Sequence, residues 1–159
     1  MSFLELYRMK YLLYIIIFLY SNYTNAELLK PSPDLEPEQI ITIQLTSLMN
    51  NDSPYKNAGI EQTWEFAHPN NRIFTGPLKN FTKMMYSKGY STMLNHINHK
   101  IYVVKKEKNI SYFFIELIDK FGNKFGFQWT VEKVNSIGKY NNCWMTTGVS
   151  QPMKLSKSA

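Results

Sequence analysis

The sequence predicts an α+β domain in which three N-terminal helices pack on a curved, four-stranded antiparallel sheet. In the first half of the chain, apolar residues recur at helical spacing. In the second half, short segments with a period of two are separated by turn residues. Each predicted helix is apolar on one side only, so it must bury that side against a broad surface, and a sheet provides one.

The three predicted helices are delimited by prolines. Pro37 opens the first helix at its first turn. The second helix spans about residues 55–66, and Pro69 ends it because proline disfavours the helical conformation of the residue before it. Pro77 opens the third helix, which ends at residues 88–89. The apolar stripes are Ile41, Leu45 and Leu48 in the first helix, Ile60 and Trp64 in the second, and Leu78, Phe81, Met84 and Met85 in the third.

Four strands are predicted after the helices, at residues 94–105, 110–119, 125–132 and 142–150. The second is apolar on both faces for most of its length, as expected of a central strand. Pro152 is expected to end the sheet. The third strand has the clearest alternation in the sequence, which predicts that one set of its side chains faces the helices: Phe125, Phe127, Trp129 and Val131.

The first 26 residues have the pattern of a secretory signal peptide. Arg8 and Lys10 precede an uncharged apolar run, and Ala26 ends a short polar segment with small residues suited to cleavage. The run is shorter than the roughly 20 residues of a transmembrane helix. We therefore expect export, either to a periplasm or out of the cell, with an uncleaved membrane anchor as the alternative. Residues 27–36 are an expected extended linker, 37–152 the folded domain, and 153–159 a flexible tail.

Composition limits the partners and the cysteine chemistry that we expect of this chain. The chain has 44% hydrophobic residues, enough for a core, and a net charge of +6, which suits an anionic partner or serves solubility alone. Nucleic acid is not an expected partner, because aromatic and basic residues are not interleaved as in single-strand binders. Cys143 is the only cysteine, which excludes an intrachain disulfide, and we expect it to be a small buried hydrophobe.

Several short motifs resemble one known family. They are Phe66-Ala67-His68-Pro69, Thr75-Gly76-Pro77-Leu78 with its spacing to Phe81 and Met84-Met85, the turn from Leu117-Ile118-Asp119 to Gly122, and Trp144 to Val149.

Over about residues 37–149, this pattern resembles the domain of unknown function 4864 family, in which serine is commoner than histidine at the position of His68. That family is similar to the nuclear-transport-factor-2-like (NTF2-like, cystatin-like) folds. The resemblance implies an NTF2-like roll with a hollow between sheet and helices, and it carries no established activity.

The segment from Trp64 to Arg72 is the best candidate for the edge of that hollow, because it concentrates aromatic and ionisable side chains around a turn. Each residue also has a structural interpretation. The aromatic residues and methionines resemble an ordinary core, His68 resembles an ordinary loop histidine, and Arg72 can bind an anionic ligand or tie the loop to a carboxylate such as Glu65. The predicted binding residues are Trp64, His68, Arg72, Phe81, Met85, Tyr90 and Trp129.

Our leading functional hypothesis is a non-catalytic module that binds a small apolar or weakly anionic ligand, or a protein partner. The alternative is an isomerase, dehydratase or hydrolase that uses His68, Tyr90 or Glu116, whose neighbours are apolar. A third interpretation is a homodimer formed through the open face of the sheet. No cofactor is expected. No metal site is expected either, because His96 and His99 would lie on opposite faces of a strand and no cysteine or carboxylate cluster accompanies them.

Overall fold

The structure is a computed structural model that describes residues 27–155. The predicted signal peptide and the last four residues of the predicted tail lie outside the described residues. The described chain is α+β, with its helices before its sheet, as the sequence predicts. Its elements are helices α1 (Pro37–Met49), α2 (Ala58–Glu65), α3 (Pro69–Thr75) and α4 (Leu78–Met85), a 3₁₀ turn (Ser91–Met93), and strands β1 (Asn98–Lys106), β2 (Ile110–Ile118), β3 (Lys124–Lys133), β4 (Trp144–Val149) and β5 (Met153–Lys154).

The strands form one antiparallel sheet in the order β1-β2-β3-β4, and β5 also pairs with β3. Short turns connect β1 to β2 and β2 to β3, so these neighbours in sequence are neighbours in the sheet. Strands β2 and β3 contribute most of the buried side chains on the inner face of the sheet, which faces the helices. Strand β1 lies at an edge and is exposed along most of its length.

The core lies between helix α1 and the inner face of β2 and β3. Phe127, Trp129 and Val131 are buried on the predicted face of β3, and Phe125 packs against them at the rim. Ile41 and Leu45 face them from α1. Full burial of each such side chain contributes about 1.5–3 kcal/mol relative to exposure, so this layer of contacts dominates the stability. The alternation predicted for β3 is confirmed.

The helix count of three is wrong, because the segment after Pro69 is itself a helix, α3. The same proline that cannot continue α2 has a φ angle suited to the first position of a new helix. Helix α3 occupies most of the interval between Pro69 and Pro77, which the sequence predicts to be a connection between two helices, and Gly76 ends it with a left-handed φ of 72°. Residues 27–155 therefore contain four helices in place of the three predicted.

The first strand begins at Asn98, four residues later than predicted. A 3₁₀ turn and then Asn95, in a left-handed conformation with φ of 56°, interrupt the chain before it. His96 is therefore outside the strand, and the prediction that it lies on the opposite face from His99 is wrong. The Nε2 atom of His96 lies 2.8 Å from Nδ1 of His99.

The ends of the domain also differ from the prediction. Pro152 does not end the sheet. Strand β5 follows it, in the first part of the predicted tail, and pairs with Phe125 and Gly126 of β3. The Leu155 N–H extends this pairing by donating to the Lys124 carbonyl at 2.9 Å. Proline is tolerated just before an edge strand because no ladder hydrogen bond is required of it there.

Strand β2 is apolar on both faces in sequence, but only its inner face is buried. On the outer face Tyr112 is exposed, Phe114 is half-buried, and Glu116 forms an ion pair with Lys124 at 3.4 Å. Phe114 covers Gly126, where a Cβ atom would lie 2.6 Å from its ring. The prediction that β2 is a central strand is confirmed, but its apolar outer face is only partly covered, since the helices between residues 27 and 155 pack on the other side of the sheet. Between residues 27 and 155, no helix is long and apolar enough to cross a membrane.

Candidate functional site

A cavity of about 150 Å³ lies between the helices and the inner face of the sheet. Four helices, the 3₁₀ turn and strands β3 and β4 contribute to its wall. The fifteen lining residues are mostly apolar or carry neutral polar groups: Gln44, Leu48, Thr63, Ala67, Asn71, Thr75, Phe81, Met84, Met85, Tyr90, Met93, Trp129, Thr146, Gly148 and Val149.

Aromatic and methionine side chains form the apolar part of the wall. Phe81 and Met85 come from one face of α4, where a spacing of four residues places them side by side. Met93 comes from the 3₁₀ turn and Trp129 from β3, and all four are buried. Methionine is unbranched and polarizable, so it fits irregular ligands and gaps more readily than branched side chains do.

The polar part of the wall is a chain of buried hydrogen bonds. The Trp129 indole N–H donates to Thr146 Oγ1 at 3.1 Å, and the Thr146 hydroxyl donates to Gln44 Oε1 at 2.6 Å. Gln44 Nε2 in turn donates to the Thr63 carbonyl at 3.0 Å. The Thr63 hydroxyl donates to the Gly59 carbonyl at 2.7 Å. These bonds compensate the desolvation of polar groups that would be costly to bury unpaired.

Several lining residues are half-exposed, and we call the part of the wall that they form the mouth of the cavity. Tyr90 and Val149 are two of them, and the Tyr90 hydroxyl donates to the Val149 carbonyl at 3.1 Å. This bond joins the segment after α4 to the end of β4. Burial raises the pKa of the Tyr90 phenol, so it is a neutral hydroxyl at ordinary pH.

Four of the seven predicted binding residues line the cavity together: Phe81, Met85, Tyr90 and Trp129. The other three, Trp64, His68 and Arg72, form a separate cluster where α2 ends and α3 begins. That cluster is joined to the cavity wall through Ala67, which lines the cavity and accepts a hydrogen bond from Arg72 Nε at 3.0 Å. The predicted segment is therefore beside the cavity, but its ionisable side chains do not line it.

His68 caps helix α3. Its side chain is buried, and its Nδ1 accepts a hydrogen bond from the Asn70 N–H at 3.1 Å. Nδ1 must be unprotonated to accept, which assigns the proton of the neutral ring to Nε2. Burial lowers the pKa of His68, and the negative charge of Glu132 partly opposes that effect. A serine side chain at this position accepts the same kind of bond, so capping requires no imidazole chemistry.

Arg72 holds the end of helix α2. Its Nη2 donates to the Trp64 and Glu65 carbonyls, both at 2.9 Å, and its guanidinium carbon lies 3.9 Å from the centroid of the Trp64 ring. The C-terminal carbonyls of a helix lack intrahelical partners and carry partial negative charge, which a guanidinium satisfies well. The predicted link to the Glu65 carboxylate is replaced by bonds to backbone carbonyls, because that carboxylate pairs with Lys30 at 3.1 Å.

The remaining candidates for acid–base or metal chemistry lie away from the cavity wall. Glu116 is on the outer face of the sheet, in its ion pair with Lys124. His96 lies between the 3₁₀ turn and β1, and His99 is the second residue of β1. His96 Nδ1 lies 2.7 Å from the Met93 carbonyl oxygen. Among the described residues, no group of three or more histidine, cysteine or carboxylate side chains is arranged to hold a metal ion.

Cys143 is buried, which confirms its predicted structural character, and burial raises the pKa of its thiol. It packs with Val134 and Met145 in a small second core below β4. Burial and a raised pKa both disfavour the nucleophilic thiolate.

The sequence interpretation missed the polar part of the wall, in which the Thr146 hydroxyl and the Gln44 side chain are hydrogen-bonded. Gln44 lies between Ile41 and Leu48 on the buried stripe of α1, and a polar residue within an apolar stripe is the one sequence signal that marks it. Strict alternation along β4 would place Thr146 on the opposite face from Val149. The pairing of β3 with β4 shifts register beside Thr130, and this irregularity changes the alternation of β4.

The chain matches no family model, no curated protein and no solved structure.

Proposed function

We propose that this chain is an exported, non-catalytic module that binds a small, neutral and mainly apolar molecule in the cavity between its helices and its sheet. The observation that carries the proposal is the composition of the wall. Among the described residues that line the cavity, Tyr90 alone has a titratable side chain, and burial raises its pKa. Such a wall favours a ligand without charge, because it offers an ion no compensating partner.

The size of the cavity limits the ligand. An engineered apolar protein cavity of about 150 Å³ takes up benzene, and the cavity here has a volume of about 150 Å³. A ligand of one aromatic ring therefore suits it, and larger ligands would have to extend through the mouth beside Tyr90. Trp129 and Phe81 offer aromatic faces and edges to such a ring.

The polar wall provides one orienting contact. Gln44 Nε2 has two N–H groups, and within residues 27–155 it makes one hydrogen bond, to the Thr63 carbonyl. Its second N–H is a donor for a ligand hydroxyl or carbonyl oxygen. A few placed polar groups in an apolar wall are typical of sites that orient small molecules. A ring with one hydroxyl or carbonyl group is therefore the preferred ligand class.

An NTF2-like roll and export of the protein are parts of the same proposal. The fold assignment is supported by helices on a single face of an antiparallel sheet, with a hollow between them. Export is supported by the apolar run after Arg8 and Lys10 in the sequence. The structure itself establishes only the α+β class, and the NTF2-like roll and the export are proposals.

The enzymatic alternative is supported less well by the same geometry. Glu116 is on the opposite face of the sheet, and the Nδ1 lone pair of His68 is used by the Asn70 N–H. Tyr90 is the one candidate of the three at the cavity, and its hydroxyl proton is engaged by the Val149 carbonyl. General acid–base catalysis needs a group whose pKa lies near the working pH, and burial shifts Tyr90 away from that range.

The proposal is tested by measuring thermal stability and tryptophan fluorescence with toluene, phenol and benzoate. Toluene and phenol should stabilise the protein, by about 2.7 kcal/mol when the free ligand is at a hundred times its Kd. Benzoate has nearly the same size but carries a charge, so it should give no shift. Stabilisation by benzoate that equals that by phenol would contradict a neutral site.

Two pairs of variants locate the binding. Ala67→Leu and Val149→Phe fill the cavity from different walls, and both should abolish the shift with toluene while retaining the far-UV circular dichroism. Met85→Ala enlarges the cavity, so it should admit a two-ring ligand such as naphthalene. Leu45→Ala truncates a buried residue that does not line the cavity, so this variant should lose stability without gaining naphthalene binding. Unchanged toluene binding by both filled variants would refute the site.

A further inference from the structure

Strand β1 presents a free edge nine residues long. Within residues 27–155 it pairs with β2 alone, so the backbone N–H and C=O groups on its other side have no strand partner. Its side chains are also exposed, with Tyr102 45%, Val103 49% and Val104 66% accessible. An exposed edge with apolar side chains is a template for pairing with another strand, and proteins generally blunt or use such edges.

The edge is regular over only part of its length. From Asn98 to Val103 each residue has a partner on β2 in one continuous register. The register shifts between Val103 and Lys105, which leaves Val104 as a bulge. A bulge disrupts the ladder and bends the strand, so an added strand would pair with the segment 98–103.

The charge of β1 and its turn is strongly positive. Residues 98–108 contain four lysines and one glutamate. Lys105 pairs with that glutamate, Glu107, and Lys106 pairs with Glu38 of α1. Lys100 is exposed, and it has no ion pair within the part of the chain that the structure describes. It lies in the regular segment, so its charge would face an incoming strand.

This charge disfavours a second copy of the chain as the partner. If two β1 strands pair antiparallel over residues 98–103, directly opposed residues lie on the same face, so the two-fold axis passes through a residue. An axis at Lys100 places the two Lys100 side chains directly opposite each other, and an axis at Ile101 makes them diagonal neighbours on one face. Like charges directly opposite each other in a sheet are destabilising. The lysines therefore act against the homodimer that the sequence alone left open.

We propose that the edge of β1 from Asn98 to Val103 accepts an added strand from a partner segment in which apolar and acidic residues alternate. Backbone hydrogen bonds to the free edge provide the affinity, and side-chain alternation provides the specificity. Lys100 and Tyr102 lie on the outer face, where acidic residues of the partner meet Lys100. Ile101 packs on the core at the inner face, where apolar residues of the partner would cover it and Val103.

This proposal is independent of the cavity, since β1 contributes no residue to the cavity wall. A protein that binds a small molecule on one side of its sheet can hold a partner at the edge without competition between the two. Failure of toluene binding therefore leaves the edge proposal unaffected. Failure of peptide binding likewise leaves the cavity proposal unaffected.

The test uses the full chain and two short peptides, one alternating valine with aspartate and the other valine with lysine. Amide hydrogen exchange, read by NMR, should slow in residues 98–103 with the acidic peptide only. Binding should weaken as salt is added, because exposed ion pairs are screened. Equal binding of both peptides, or protection elsewhere in the chain, would overturn the proposal.

Charge reversal provides the matched variants. Lys100→Glu should weaken binding of the acidic peptide about tenfold, since it removes one exposed ion pair and adds a repulsion of similar size. The same variant should gain binding of the lysine peptide. Lys79→Glu makes the same charge change on α4, at an exposed site outside the sheet. It should alter the binding of neither peptide. If the two variants behave alike, the effect is one of net charge and the site is wrong.

Two other occupants of the edge give distinct results, and each would overturn the proposal. If a second copy pairs there, protection of residues 98–103 appears without peptide and increases with protein concentration. If another segment of the chain covers the edge, the same protection appears without peptide and is independent of concentration.

Discussion

His96 and His99 share one hydrogen bond, with His96 Nε2 and His99 Nδ1 2.8 Å apart. His96 Nδ1 lies 2.7 Å from the Met93 carbonyl oxygen and must carry a proton to donate to it. In neutral His96, Nε2 is then the acceptor and His99 Nδ1–H the donor. A second proton on His96 would place two N–H groups face to face, so the pair holds His96 neutral.

The first prediction is a loss of stability in mild acid. Burial lowers the pKa of His96 from 6.5 to about 4, with a smaller contribution from His99. Between these values the unfolded state binds a proton at His96 that the folded state does not bind, so stability falls as pH falls. The shift corresponds to about 3 kcal/mol, lost between pH 6.5 and 4 and constant below. Urea unfolding at a series of pH values measures the loss.

The His96→Asn variant separates this effect from the titration of carboxylates. Its amide can still donate to the Met93 carbonyl but does not titrate, so its stability should depend less on pH in the same interval. NMR titration of the His96 ring in the wild type should give a midpoint well below 6.5. A midpoint at or above 6.5 would contradict the neutral, buried ring.

The second prediction concerns Gly59 of α2, which lies against the C-terminal end of α1 and the residues that follow it. A Cβ atom there would lie 2.1 Å from the Ser47 carbonyl oxygen and 2.8 Å from the Asn51 Cα. Both neighbours are backbone atoms, so they cannot rotate away as a side chain would. Gly59→Ala should therefore destabilise by about 1–3 kcal/mol, although alanine is the better helix former. Chemical denaturation of Gly59→Ala measures this, and a gain in stability would show that the helices lie further apart.

The third prediction concerns the polar wall. Thr146→Val keeps the shape of the side chain but removes the hydroxyl that accepts from Trp129 and donates to Gln44. Two buried polar groups lose a partner, each at about 1–3 kcal/mol. Thr130→Val, on the half-exposed part of β3, makes the same chemical change and should have little effect. The measurement is the midpoint of urea unfolding, and equal shifts for both variants would show that the network contributes nothing.

The features that the sequence predicts well are those with an uninterrupted period. The inner face of β3 alternates over four apolar residues, and hydrophobic burial enforces that pattern directly. Phe81 and Met85 share the buried face of α4, as their helical spacing predicts, and they line the cavity. Long periodic segments are determined locally, so sequence alone recovers them.

The missed features depend on single backbone irregularities. Asn95 adopts a left-handed conformation that separates His96 from β1, and the register shift beside Thr130 alters which residues of β4 face the cavity. Pro69 both ends one helix and starts another, and these two outcomes have the same sequence signal. In a strand, a shift of one residue reverses the face of every residue that follows it. The predicted faces were therefore less accurate for the strands than for the helices.

The last prediction tests whether His68 acts as a cap or as a catalyst. His68→Ser retains an oxygen that accepts from the Asn70 N–H, whereas His68→Ala leaves that donor without a partner. Both variants lose the packing of the buried imidazole, and the alanine variant should be about 1 kcal/mol less stable than the serine variant. Unfolding by urea compares the two, and toluene binding should be unchanged in both because His68 does not line the cavity. Equal stability of the two variants would exclude the capping role, because the hydrogen bond is the property that distinguishes them.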